Sequence, residues 1–215
     1  MGNQRDTLNS KKNQFQLNQK LYNAVLLGEC SEISNLISAG ADLHLQDNAA
    51  VHLFDNEENT PLHVAVINEY LDIVKLLISK GTKVDCINYK KQTPLHKAIY
   101  HNHIKIAQFL IESGADIEAK ESDGGTPLSW AAYMGRMDKT EYLMSINANI
   151  NSTDFHNNTP LHWAAYKGLT AMVKLLIEKG ADPNLVNLSG DRPIQAAIHN
   201  NFNDTVIFLS RFNST

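Results

Sequence analysis

The stretch NTPLHWAAYKG, residues 158–168, decides how the rest of the chain reads. It places a histidine, a tryptophan, a tyrosine and a lysine within eleven residues, a mixture that belongs either to a chemical site or to scaffold whose polar groups serve the backbone. Its opening letters recur as NTPLH (59–63), QTPLH (92–96), GTPLS (125–129) and DRPIQ (191–195). Thr60, Thr93, Thr126, Thr159 and Arg192 stand 33 residues apart at every step. Self-similarity at a fixed period of this length marks one supersecondary unit stacked on copies of itself.

A second periodic signal follows each copy: IVKLLISKG (73–81), IAQFLIESG (106–114), TEYLMSIN (140–147) and MVKLLIEKG (172–180). Apolar residues three and four apart, such as Ile73, Leu76 and Leu77, form one face of a helix. Each run closes on Gly or Asn, the residues that tolerate a left-handed helix end. A degenerate earlier copy, LYNAVLLGECSEISNLISAGADL, lacks Thr-Pro but keeps the remaining spacing. The last unit replaces Thr by Arg192 and His by Gln195 and ends polar, as suits a cap that faces water.

The chain resembles the ankyrin repeat family over about nine-tenths of its length, through TPLHxA, the later Gly-Ala-Asp signature (40–42, 114–116, 180–182) and the 33-residue period. The resemblance implies an all-α fold: an ankyrin-repeat solenoid of about six stacked helix-turn-helix units with β-hairpin-like loops. The organisation read from the sequence is a polar mobile arm over 1–16 and a repeat domain over 17–215. Its first repeat covers about 17–45, a loop insertion falls within 46–58, and later repeats start near 55, 88, 121, 154 and 187. Glu58, Lys91 and Asn157 stand where the family usually has a turn glycine, kept here as Gly124 and Gly190, so strained or reshaped tips are expected. The insertion is either a partner-contacting loop or a self-packed one.

Composition narrows the function. The 215 residues carry 19 Lys and Arg against 23 Asp and Glu, a balance that favours neither nucleic acid nor anionic lipid. No apolar run approaches the ~20 residues of a membrane span. Two cysteines, Cys30 and Cys86, make no disulfide framework or paired zinc motif, which points to a reduced, cytoplasmic setting; a monomer is the separate default expectation.

Nine histidines invite a chemical reading. His63, His96 and His162 share one repeat slot and so serve the fold; the resemblance implies that each, with the Thr before it, ties its turn to a neighbour. His96, His101 and His103 cannot meet one zinc ion on an intact helix, since 96 and 101 lie about 140° apart and 96 and 103 about 10 Å apart along the axis. There is no nucleophile elbow, no Cys with an obvious His partner and no phosphate loop around Gly124 and Gly125. Asp55, Glu57, Glu121 and Asp123 read as solvated tip residues. No catalytic, cofactor or metal residues are therefore expected, and the chain reads as a non-enzyme.

Stacked helix pairs leave a concave face built from the first helices and the loop tips. The resemblance places partner contacts a few residues after TPLH and at the tip before it. Carried over by position, this gives Tyr89, Tyr100, His101, Trp130, Tyr133, Met134, Phe155, Trp163, Tyr166 and Lys167 as candidate partner-binding residues. Tyr100, Tyr133 and Tyr166 stand one repeat apart, as do Trp130 and Trp163, and Tyr, Trp and Met are enriched at interface centres. The expected function is a non-enzymatic protein-protein interaction module or adaptor that holds another protein on this face. A composition rich in Asn, Lys and Ile supports a variant in which a secreted bacterial effector uses the same surface in the host cytoplasm. An enzyme or enzyme appendage is the remaining class. Asn151 and Asn184 also occupy the loop slot that an asparaginyl hydroxylase modifies in animal ankyrin proteins, although Asn149 and Pro183 fit that motif poorly.

Overall fold

The computed structural model describes residues 2–43 and 57–212, with side chains from residue 11 onward. Among these residues every regular element is helical. The order is α1 (Gly2–Leu27), α2 (Cys30–Ser38), α3 (Pro61–Ile67), α4 (Leu71–Ser79), α5 (Pro94–Tyr100), α6 (Ile104–Glu112), α7 (Pro127–Tyr133), α8 (Met137–Ser145), α9 (Pro160–Tyr166), α10 (Thr170–Glu178), α11 (Pro193–His199) and α12 (Asn203–Leu209), then a 3-10 turn, Ser210–Phe212. The periodicity reading is correct: short helices alternate with slightly longer amphipathic ones.

The TPLH letters explain the short helices. Thr159 is extended at φ −88°, ψ 167°, and its hydroxyl accepts the His162 N–H at 3.4 Å, capping α9. Pro160 follows at the first helical position, where its missing N–H costs nothing. The helix ends seven residues later, at Tyr166.

Two compact units make up the chain. The first comprises Met1–Ala98 with Lys105–Ala115. It buries Leu21, Val25, Ile33, Leu62, Val66, Ile73 and Leu77, with α1 packed against α2 and α3. The second comprises Ile99–Ile104 with Asp116–Thr215. At its centre α9 packs against α7, α10 and α11, around Leu161, Met172, Val173, Leu176 and Ile194. The alanines facing inward from the short helices, Ala131, Ala132, Ala164, Ala165 and Ala197, are fully buried and let these helices approach closely.

Among the described residues the loop tips are tight turns without strand ladders. Backbone bonds close each one, from Asn88 to Gln92, Glu121 to Gly125, Asp154 to Asn158 and Asn187 to Asp191. Neighbouring tips are joined by Tyr89 N–H to Glu57 C=O in the first unit, and by Phe155 to Asp123 and Leu188 to His156 in the second. Glu58, Lys91 and Asn157 preserve the turn by taking the left-handed conformation themselves, at φ 51°, 54° and 60°. A side chain there costs about 1–2 kcal/mol. Lys91→Gly is therefore expected to stabilise the fold by roughly 0.5–1 kcal/mol, after the entropy cost of glycine, as a rise in denaturation midpoint.

Two expectations meet a different structure, and a third falls outside the described residues. Residues 2–16, read as a mobile arm, are helical and continuous with the first repeat, and Gln14 Nε2 donates to the Gly40 carbonyl at 2.8 Å. The terminal repeat is less polar than its sequence suggested, because Ile198 and Ile207 stand exposed on its short and long helices. Most of the insertion, residues 46–56, lies outside the described residues, as do residues 213–215.

Candidate protein-binding face

The recurring histidines hold the repeats together. His162 Nδ1 accepts the Thr159 N–H at 3.1 Å, and Nε2 lies 3.0 Å from the Asp191 carbonyl. A carbonyl only accepts, so Nε2 carries the proton and Nδ1 is the acceptor. His63 makes the same pair of contacts to Thr60 N–H and to the Gln92 carbonyl, at 3.4 and 2.8 Å. Burial holds the His162 pKa below the usual histidine value despite the nearby Asp191 and Asp154. These imidazoles are structural, as the resemblance implied.

The rings one turn further along are arranged differently. Tyr100, Trp130, Tyr133, Trp163 and Tyr166, all in the second unit, form one continuous series of edge-to-face contacts. Successive centroids are 5.6, 6.4, 5.6 and 5.8 Å apart, within the favoured range for aromatic pairs. Tyr100 and Tyr166 keep 42% and 46% of their surface in solvent; the three rings between them are half-buried. His101 packs edge-on against Tyr100 at 5.0 Å, Met134 caps the C-terminus of α7, and Lys167 sets its ammonium 4.8 Å from the Tyr133 ring centre. Repeat phase thus brings together eight of the ten candidate residues. Phe155 lies exposed at a tip of the same unit, with Lys120 over its ring. Tyr89 is exposed at a tip of the first unit. Sequence reasoning missed Leu188, which is one repeat after Phe155 and equally open; the shared phase was the available signal.

Glu121 requires a correction, and Asp154, one repeat on, behaves in the same way. Glu121 was read as a solvated tip residue, yet it is only 5% exposed and Asp154 only 4%. Both side chains turn inward to build the tip. Asp154 Oδ1 accepts the N–H groups of His156 and Asn158, and Glu121 Oε1 those of Asp123 and Gly125. Asn88 and Asn187 perform the same task one repeat to either side. Trp163 Nε1 donates to Asp154 Oδ2 at 3.1 Å, which fixes its indole. Glu57 was likewise read as solvated, but it pairs with Lys97 and Lys90; against the opposing effect of burial, these ammoniums hold its pKa down to about 2.

The structure also pairs a cysteine with a histidine that sequence did not connect. Cys86 Sγ lies 3.9 Å from His63 Nδ1. That nitrogen already faces the Thr60 N–H and hydroxyl, and burial pushes the thiol up to about 11, so no thiolate nucleophile forms there. Among the described residues no three His, Cys, Asp or Glu side chains converge as metal ligands, and no helix is long and apolar enough to cross a membrane. Asn151 Oδ1 accepts the Asp182 N–H, while Asn184 is exposed.

Stacked helical hairpins, tied by buried Thr-His pairs and presenting a row of half-exposed rings, define a repeat protein of the protein-binding class. The ankyrin repeat model matches residues 21–121 and 117–187, and the chain belongs to the ankyrin repeat family. Over 68 residues, 32% of this chain, it is 39% identical to human protein phosphatase 1 regulatory subunit 27. Over 48 residues, 22% of the chain, it is 48% identical to zebrafish protein fem-1 homolog C. The aligned stretches span 39% and 8% of those relatives. Ankyrin repeats are protein-protein interaction modules, and the fold is generally non-catalytic.

Proposed function

We propose that this chain is an adaptor that holds a partner protein on the aromatic row of its second unit. The observation that carries this reading is the continuity of the five rings from Tyr100 to Tyr166, each braced by the next yet each open on one side. Side chains already locked by their neighbours lose little entropy when a partner covers them, and Tyr and Trp are the usual interface anchors. Phe155 and Leu188 extend the apolar surface to the tips.

Tyr166 offers the cleanest test. It packs edge-on against Trp163 and keeps 46% of its surface in solvent, so Tyr166→Ala removes contact area with little loss of packing. Partner capture is expected to weaken on the order of 10–30-fold, about 2 kcal/mol, in a pull-down followed by titration. Unchanged affinity would refute the reading.

A further inference from the structure

Within the second unit an open cleft of ≈ 220 Å³ lies between the aromatic row and the loop tips. Its walls are Trp130, Tyr133 and Trp163, and its acidic side is formed by Glu121, Asp123 and Asp154. We infer that this cleft is the seat for one arginine side chain of the partner protein, with the guanidinium stacked on the indoles and hydrogen-bonded to Glu121 and Asp123. The inference rests on the reading of the aromatic row as a partner-binding face and specifies what that face recognises.

Two of the three carboxylates, Glu121 and Asp123, have capacity beyond what the turns need. Glu121 and Asp154 each close a tip through side-chain oxygen, but Asn88 and Asn187 close theirs with a neutral amide in the same geometry. Asp154 Oδ2 is also taken, by Trp163 Nε1 and Asn158 Nδ2, so that carboxylate serves the fold, whereas, among the described residues, Glu121 Oε2 meets only the Ser122 hydroxyl and the exposed Asp123 faces the cleft. No ion pair among the described residues reaches Glu121, Asp123 or Asp154. The nearby Lys120 directs its ammonium to the Thr153 carbonyl instead.

The chain itself shows what such a tip carboxylate accepts. One repeat before Trp130 the same slot holds Lys97, which is buried with its ammonium hydrogen-bonded to Glu57. Glu57 stands two repeats before Asp123, in the same tip position. Where the slot carries a lysine, the chain supplies its own cation. Where it carries Trp130 and Trp163, it supplies aromatic walls and leaves the carboxylates to a cation from outside. Tyr133 already accepts one ammonium, from Lys167, so these rings do bind cations. Gly125 keeps the floor open, since a Cβ there would come within 3.1 Å of Glu121 Oε1 and 3.2 Å of Trp130 Nε1.

Arginine fits this chemistry better than lysine. Its planar guanidinium stacks on aromatic faces, its five donors span two carboxylates, and it is more weakly hydrated than an ammonium.

The test is an NMR titration of the 15N-labelled full chain with acetyl-arginine methylamide, read at the indole N–H signals of Trp130 and Trp163. Saturable shifts are expected, with the neutral citrulline analogue at least about tenfold weaker. Glu121→Gln with Asp123→Asn, which keeps the Glu121 turn acceptor and leaves the Asp154 contact to Trp163 intact, should weaken the arginine probe about tenfold as well. Because the citrulline comparison uses the unaltered protein, a variant that misfolds does not blunt the test. Indole signals that ignore the arginine probe, a citrulline analogue that binds equally, or an acetyl-lysine methylamide that binds more tightly would each overturn the assignment. Should the probe fail while Tyr166→Ala still abolishes partner capture, the arginine seat is wrong and the partner-binding face stands.

Discussion

His162→Ala should destabilise the fold by about 3 kcal/mol, a larger loss than most single substitutions produce. The imidazole is buried in the second unit and joins two repeats: one nitrogen accepts the Thr159 N–H and the other donates to the Asp191 carbonyl. Alanine leaves the buried Thr159 N–H without this acceptor, at about 1–3 kcal/mol, and adds a cavity. For a chain of this length the melting temperature should fall by about 6–12 °C. His162→Gln should be milder, because Gln195 fills the same slot in the last repeat and its Oε1 accepts the Arg192 N–H at 2.9 Å. The pH dependence follows from the same geometry. The unfolded imidazole binds a proton near its ordinary value of 6.5, whereas burial keeps the folded one neutral to lower pH. Its stabilising effect is complete above that value and declines as pH falls below it, by at most about 1.4 kcal/mol per pH unit. His162→Ala should flatten this part of the stability profile between pH 6.5 and the lower folded value, as measured by denaturant melts.

Gly124→Ala should cost about 2–4 kcal/mol for a different reason. The residue has φ +85°, and an added Cβ would come within 2.6 Å of the Phe155 backbone nitrogen. That nitrogen is committed to the Asp123 carbonyl at 3.0 Å, so it cannot retreat without breaking the bond between adjacent tips. Gly180→Ala separates the two contributions. It shares the positive φ, at +98°, but has nothing within 4 Å of the added carbon, so it should lose only the conformational part, about 1–2 kcal/mol. Equal losses at the two positions would remove the steric argument.

Most of the fold was legible because each repeat restates the same physics. A Thr that caps, a Pro that starts and a residue that closes left-handed leave the chain few alternatives, and five copies at one spacing remove the rest. The aromatic row was legible for the same reason, since residues in phase on identical helices must share a face. Its extent was less so. Tyr133 is half-buried with Trp130 and Trp163 both packed against it, whereas Tyr166, with Ala196 where a further tryptophan would stand, is more exposed. The acidic cleft was hidden by chemistry: a carboxylate in a loop reads as solvated until the backbone shows that its oxygens close the turn. Phase again held the clue, because Glu121 and Asp154 align with Asn88 and Asn187, residues that favour side-chain-closed turns. The Cys86 and His63 approach depends on stacking that no local pattern encodes.

The central claim is that the rings display a surface and do not build the core. The most direct measurement is the melting temperature of Tyr166→Ala taken beside its affinity for the captured partner. Loss of capture with a melting temperature within about 2–4 °C of the unaltered chain is the predicted result. A fall as deep as that of His162→Ala, with capture by the folded fraction intact, would contradict it.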